Sequence, residues 1–351
     1  MAPHDGLRII HLTGSPVDTG WADLSRLYAR AALAVLDGVD GAEHLVVDVA
    51  PDGTWSFPAA LDPRALSAAE RLDRADGLAR LARLDADVGV PQMFCRPGLT
   101  DHRSLLGLLG IASVGNGAET MALTADKART RAVVAAAGVD VPAATLIRRG
   151  DPLPAFRGPV VVKPVDADNS VGVTLVEHAG DLRDACDSAL THSSAALVED
   201  FVPLGREVRC GTVRRGDDLL ALPLEEYAVD PTTKPIRTDD DKLDRDHRGE
   251  LHLVAKDDEH AWIVADDDPV VPAAQAVALR AHVALDCRHH GLVDLRIDPD
   301  GRPWFLEAGP YCSFAPSSVV VTMARAAGID VVDLFADAVA QARAASLVGV
   351  R

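Results

Sequence analysis

Asp294 and Glu307 stand on either side of Asp298-Pro299-Asp300-Gly301, whose proline and glycine suit a tight reversal. The flanking runs 291–297 and 303–307 predict two paired strands, with both carboxylates able to face one side of the hairpin. Such a pair has three readings. It is a solvated charge pair on an exposed strand face, a general acid/base couple, or a Mg²⁺ site. The last follows because Mg²⁺ prefers hard oxygen ligands, commonly one or two carboxylates together with phosphate. A second candidate is Lys163, which ends an apolar run and is followed by Pro164 and the polar stretch 165–172 with Ser170-Val171-Gly172. A cation at a strand end beside a Ser/Gly turn with free backbone N–H groups can cradle phosphate, although an exposed hairpin with a solvated lysine has the same pattern. The chain contains no GxxxxGK[ST] phosphate loop.

Other chemistry-bearing residues carry less. His289 and His290 are adjacent and so point different ways, and no Cys or carboxylate stands at ligand spacing, which favours a structural or surface role. Arg148-Arg149 and Arg214-Arg215 read as turn residues, and the acidic runs 239–241 and 266–268 as solvated loops. Cys312 has no nucleophile motif around it.

The elements that must position these side chains fall into three regions. Residues 7–12, 44–49 and 88–94 are apolar strand-like runs separated by helical spacing over 21–36 and 65–84. This βαβαβ rhythm predicts a parallel sheet with covering helices, and no GxGxxG follows its first strand. A second region opens near Met121, with a helix from Thr124, placed as its cap, to Ala137 before Gly138. Strands over 159–163, 173–176 and 196–199 follow. The third holds strands over 207–213 and 219–227, a helix over 272–287, the hairpin, and helical spacing from Ser317 to the end.

The chain has 351 residues and a formal net charge of −18, which argues against nucleic-acid and anionic-membrane partners because such a surface repels phosphate arrays. The 48% hydrophobic and 25% charged content is that of a globular protein of two or three domains. The five cysteines are scattered without a CxxC, and neither a signal peptide nor a membrane-spanning run is evident, so a cytoplasmic protein with free thiols is expected.

Taken in order, Lys127, Lys163, Glu199, Glu207, Lys242, Asp294 and Glu307 form a constellation that resembles the ATP-grasp superfamily. More closely, it is similar to the D-alanine–D-alanine ligase branch of the carboxylate–amine ligases. The matching stretches are 114–127, 161–172, 197–208, 239–243 and 292–318, within a region of roughly 112–335. The resemblance implies an α/β ATP-grasp fold, two α+β subdomains clamping ATP, preceded by a Rossmann-like domain. The expected boundaries are 1–118, 119–204 for the central ATP-binding subdomain, and 205–351 for the C-terminal subdomain with the metal and substrate site.

It also implies roles. Lys127 and Lys163 would contact the α/β-phosphates of ATP and Lys242 the γ-phosphate. Asn169, Ser170 and Gly172 would form the loop over the phosphates. The backbone at Glu199, Asp200, Phe201 and Val202 would read adenine, and Glu207 would accept from the ribose hydroxyls. Asp294 and Glu307 would hold Mg²⁺, for which Mn²⁺ could substitute. Ser318 and Lys242 would join the catalytic group. The implied reaction is amide formation between two amino acids through an acyl phosphate, catalysed by positioning and charge stabilisation.

Some positions depart from the family pattern. Gly309 stands where a second asparagine metal ligand is usual, and Leu292 where an arginine steadies the reacting oxyanion. Arg296 or Arg209 would take over that role. The Gly-rich approach to the final serine reads 310–314 here, and 94–101 replaces a His-Gly stretch. On those grounds the product is expected to be a specialised dipeptide or γ-glutamyl-type amide rather than the cell-wall D-alanine dipeptide. Small-molecule amino acids are the expected partners, and the resemblance also allows a homodimer. The rival functions are an ATP-grasp phosphotransferase and a nucleotide-binding protein that has lost catalysis.

Overall fold

The computed structural model describes residues 6–36, 41–168, 170–230, 232–233, 235–236, 243–245, 251–253 and 260–349. The first part of the chain runs through β1 (Leu7–Gly14), α1 (Thr19–Leu36), β2 (Ala42–Val49), β3 (Trp55–Ser56), α2 (Pro63–Ala68), α3 (Arg74–Ala82), β4 (Val88–Pro91), α4 (Arg96–Leu99), α5 (Asp101–Leu108) and β5 (Ala112–Ser113). Its sheet has the order β3-β2-β1-β4-β5. β1 pairs in parallel with both β2 and β4, and β4 with β5. These four strands form the expected parallel sheet with covering helices, and β3 adds to its edge antiparallel to β2. The helical spacing over 65–84 is interrupted in fact. Asp62 caps α2 with Pro63 at its first position, and Asp73 caps α3 separately.

The middle of the chain contributes α6 (Ala118–Thr124), α7 (Lys127–Ala136), β6 (Ala144–Arg148), β7 (Val160–Pro164), β8 (Thr174–Val176), α8 (Leu182–His192) and β9 (Ala195–Asp200). Its sheet, β6-β9-β7-β8, is antiparallel and is covered on one face by α8. Thr124 does not cap α7. It ends α6, where its hydroxyl donates to the Thr120 carbonyl, and Asp126 caps α7 by accepting from the Arg129 N–H at 3.0 Å. A carboxylate one residue before the first turn outcompetes a threonine three residues before it.

The last part comprises β10 (Arg206–Arg215), β11 (Asp218–Ala221), β12 (Glu225–Tyr227), β13 (Leu243–Arg245), β14 (Leu251–Leu253), β15 (Ala261–Ile263), α9 (Val271–Ala284), β16 (His290–Ile297), β17 (Pro303–Ala308), α10 (Val319–Ala326) and α11 (Val331–Gly349). Its main sheet runs β15-β12-β10-β16-β17, with β11 on β10, and α9 covers one face. The helical spacing after Ser317 is split between α10 and α11 at Gly328, whose φ of +74° ends the first helix. α11 returns to the first sheet. Phe335, Ala338 and Ala342 are buried in one cluster with Ile9, Val88 and Val90 of β1 and β4.

Candidate active site

Period-two alternation decides which side chains face the cleft between the middle and last sheets. On β7, Val160 and Val162 pack under α8, so Val161 and Lys163 point the other way. On β9, Ala196 and Val198 join the same core and Glu199 faces the cleft. In the last sheet Val208, Cys210, Val293, Leu295 and Ile297 pack on α9. Glu207, Asp294 and Arg296 are thereby turned into the cleft. Asp294 and Glu307 are direct cross-strand partners, with a register irregularity immediately after them, so both carboxylates face one side.

The cleft encloses about 800 Å³ including its open mouth, a volume suited to a nucleotide-sized ligand. Lys127, Lys163 and Ser170 line it, as do Glu199, Asp200, Phe201 and Val202. So do Glu207, Arg296, Asp294 and Glu307. Gly172 lies beside it with φ +71°, and a Cβ there would approach Pro164 Cγ to 2.9 Å and His192 Cδ2 to 2.8 Å. Only glycine fits that turn, and Ser170, with φ +62°, shares its left-handed strain. Lys242 and Asn169 lie outside the described residues.

The charged groups of the cleft are paired with one another. Lys163 Nζ is 2.6 Å from Glu199 Oε2, and Arg131 Nε is 3.5 Å from the other Glu199 oxygen. Lys127 Nζ donates to the Ala167 carbonyl at 2.6 Å and lies 3.4 Å from Glu307 Oε2. Burial works against the Lys127 charge, but the carboxylates of Glu307 and Asp168 outweigh it and hold its pKa above the usual value. Lys127 is therefore a fixed cation beside a carboxylate pair. Two opposed hard oxygen donors next to phosphate-ready lysines fit Mg²⁺ by the chemistry of the donor set.

The two candidate arginines part company. Arg296 Nη2 donates to Glu207 at 2.6 Å and to the Pro235 carbonyl at 2.9 Å, and its guanidinium stacks over Phe201 with the centroid 5.3 Å away. It is committed to the side of the cleft where Glu207 and Val202 lie. Arg209 stands directly across from Asp294 in the β10–β16 register and forks onto it, Nε to Oδ1 at 2.7 Å and Nη2 to Oδ2 at 2.9 Å. Burial opposes this charge too, and Asp294 more than offsets it, so the guanidinium stays protonated. Tyr227 holds Arg209 from below, with its ring centroid 5.3 Å away, and its hydroxyl donates to Glu225. Ser318 sits at the start of α10, 3.9 Å from Cys312 Sγ, and is not among the cleft-lining residues.

His289 and His290 are buried between parts of the chain. His289 Nδ1 accepts from the Gly115 N–H at 2.9 Å, and Asn116 donates to the His290 carbonyl at 2.8 Å. Burial pushes the His289 imidazole down to about 4. Among the described residues no cluster of three or more His, Cys, Asp or Glu side chains could hold a metal. Sequence reasoning passed over Arg131, Tyr227 and Glu225. Their partners are distant in the chain or concealed in an ordinary strand, and no local signal marks them.

A family model described as D-ala D-ala ligase C-terminus matches residues 153–340, more than half of the chain. A D-alanine–D-alanine ligase of Gloeobacter violaceus is 31% identical over 238 residues, covering 65% of this chain and 72% of that one. The D-alanine–D-alanine ligase of Coxiella burnetii superposes with a TM-score of 0.75 at 18% identity, over 98% of this chain and 97% of that one. The Bacillus anthracis D-alanine–D-alanine ligase complexed with ATP does so with a TM-score of 0.72 at 17% identity, over 98% and 100%. These matches carry the ATP-grasp fold. Relatives bearing the D-alanine ligase name give no support to the expectation that this chain makes something else.

Proposed function

The chain belongs to the D-alanine–D-alanine ligase family, and from that premise we propose that it joins two amino acids, with D-alanine the first candidate for both. Membership makes it an ATP-dependent carboxylate–amine ligase that uses Mg²⁺. The observation that carries the residue-level reading is the opposed Asp294–Glu307 pair, in one cleft with Lys127 and Lys163 and with Arg209 forked onto Asp294.

In the proposed reaction a substrate carboxylate oxygen attacks the γ-phosphorus of ATP and ADP leaves. The amine of the second amino acid, having lost its proton, then adds to the acyl carbon and phosphate departs. Lys127 and Lys163 hold the phosphates, exchanging Glu307 and Glu199 for them as partners. Asp294 and Glu307 would hold Mg²⁺, which would supply neutralisation of phosphate charge. The N–H groups of the strained turn at Ser170 and Gly172 cover the phosphates. Glu199 to Val202 face adenine, and Glu207, steadied by Arg296, faces the ribose. Arg209 takes the oxyanion role for which Leu292 has no charge, because it already points at the Asp294 carboxylate from the neighbouring strand. Leu292, on β16, is part of the apolar core. The division at 118/119 and 204/205 is retained as a proposal, as is cytoplasmic residence, with which five buried free thiols accord.

A phosphate-release assay with Mg·ATP and D-alanine alone, then with pairs of amino acids of both chiralities, tests the proposal. Amine-dependent release with a dipeptide in the mass spectrum supports it. Release with a stable phosphorylated product, or without any amide, refutes ligation.

A further inference from the structure

Asp294 has two claimants. Arg209 forks onto both of its oxygens, at 2.7 and 2.9 Å, and the ligase reading gives the same carboxylate to Mg²⁺. A divalent cation on those oxygens would stand beside a guanidinium of like charge, so the fork must loosen as the metal is taken up. An arginine released in so enclosed a place needs a second anion, because a buried charge left without a partner is costly.

The sheet registers place that anion. Arg209 of β10 is the direct partner of Asp294 in β16 on one side and of Glu225 in β12 on the other. Asp294 is in turn the partner of Glu307 in β17. Residues directly opposite one another share a face of the sheet, so Glu225, Arg209, Asp294 and Glu307 form one row across four strands. The cation of that row has an acid on either side. Glu225 is only 2% exposed and is not among the cleft-lining residues. Tyr227, two residues further along β12, lies on the same face and links it to the arginine. The Tyr227 hydroxyl donates to Glu225 Oε2 and accepts from Arg209 Nη1 at 3.4 Å. Its ring lies under the guanidinium, with the centroid 5.3 Å away. The contact at 3.4 Å is long for a hydrogen bond, whereas those of the fork are short. The link through Tyr227 is therefore the one with room to tighten.

We propose that Glu225, acting through the Tyr227 hydroxyl, is the reserve counter-charge of Arg209. As Asp294 turns to the metal, the guanidinium passes to Tyr227 and Glu225 and stays in place for the reacting oxyanion. This rests on the metal role of Asp294 and the oxyanion role of Arg209 in the ligase reading, and it deepens both. Glu225 and Tyr227 are positioning residues, since they act on the substrate only through Arg209.

The test uses two measurements on the full chain. Titration of the ADP-bound protein with Mn²⁺, read from the electron paramagnetic resonance of unbound Mn²⁺, reports the metal without turnover, and steady-state phosphate release reports catalysis. Tyr227→Phe and Glu225→Gln are each made alone and together with Arg209→Met. Either variant alone is expected to weaken Mn²⁺ at least threefold, because Arg209 then keeps its hold on Asp294. Each is also expected to lower kcat by about ten- to a hundredfold, the worth of a hydrogen bond to a charged group, with the KM for ATP within twofold of the parent. On the Arg209→Met background neither is expected to move the Mn²⁺ affinity. Equal Mn²⁺ shifts with and without Arg209, no shift at all, or a kcat within twofold of the parent overturns the proposal. Mn²⁺ binding that Asp294→Asn leaves untouched refutes the metal role, and the proposal with it. Mn²⁺ shifts that vanish without Arg209, in a protein that ligates no amino acid, would sustain the exchange of partners and refute the ligase reading, so the failures are distinguishable.

Discussion

Replacing Arg209 by alanine separates catalytic from structural explanations of the cleft. Its guanidinium forks onto Asp294 with both contacts under 3 Å, and the two side chains are only 15% and 11% exposed. In so enclosed a site, loss of one preorganised donor for a developing oxyanion costs about 10²–10³ in kcat, or about 2.7–4 kcal/mol. The same substitution strips Asp294 of its bidentate partner. Breaking a buried pair from one side costs about 3–5 kcal/mol of stability, less wherever another cation takes over. Under the proposed metal role of Asp294, Mg²⁺ would be that cation, so the stability loss should shrink when Mg²⁺ is added while the catalytic loss persists at saturating Mg·ATP. Arg209→Lys keeps a charge but not the fork and should fall between parent and alanine. Phosphate release at saturating substrates gives kcat, and urea unfolding with and without Mg²⁺ gives stability. An Arg209→Ala protein whose kcat lies within threefold of the parent, whatever its stability, refutes the oxyanion role and leaves Arg209 a structural partner of Asp294.

Three further outcomes are expected. Lys163→Met should abolish turnover and destabilise the fold by about 3–5 kcal/mol, because Glu199 loses a partner 2.6 Å away, and adding Glu199→Gln should recover much of that stability in urea unfolding; a single variant as stable as the parent would contradict the buried pairing. Gly172→Ala should raise the KM for ATP by forcing an unfavourable φ and a contact with Pro164, and an unchanged KM would remove the turn from the phosphate site. Acid should destabilise the protein through its buried histidines. His11, His282 and His289 are held at about 3, 4 and 4, below the unfolded value of 6.5, so the folded state binds fewer protons and stability falls as pH drops below 6.5 towards those values. Each contributes up to about 1.4 kcal/mol per pH unit. Urea midpoints that stay level between pH 7 and pH 5 would show that these imidazoles are not kept neutral.

Features encoded over short stretches were legible before folding was considered. The turn at residues 298–301 was legible and fixes the pairing next to it, Leu295 with Phe305, but Asp294 meets Glu307 only because the register shifts by one residue just after Asp294, an irregularity that no local signal announces. The Lys163-Pro164 strand end and its Ser/Gly turn were likewise local. The order of these motifs carried the resemblance to the ligases, and with it the fold. Helix limits were less secure. Asp126 rather than Thr124 starts α7, and capping residues divide what apolar spacing alone runs together.

What the tertiary structure decided was which of several equivalent residues meet. Arg209 and Arg296 look alike in the sequence, each two residues from an acid. Only the pairing of β10 with β16, 85 residues apart, sends one to Asp294 and the other to Glu207. The Glu225–Tyr227 support under Arg209 has no sequence signature either. Nor does the return of α11 to the first sheet. Local chemistry prescribes turns, caps and strand faces, whereas contacts between distant elements depend on how those faces pack, and there the amino-acid sequence speaks only through the completed fold.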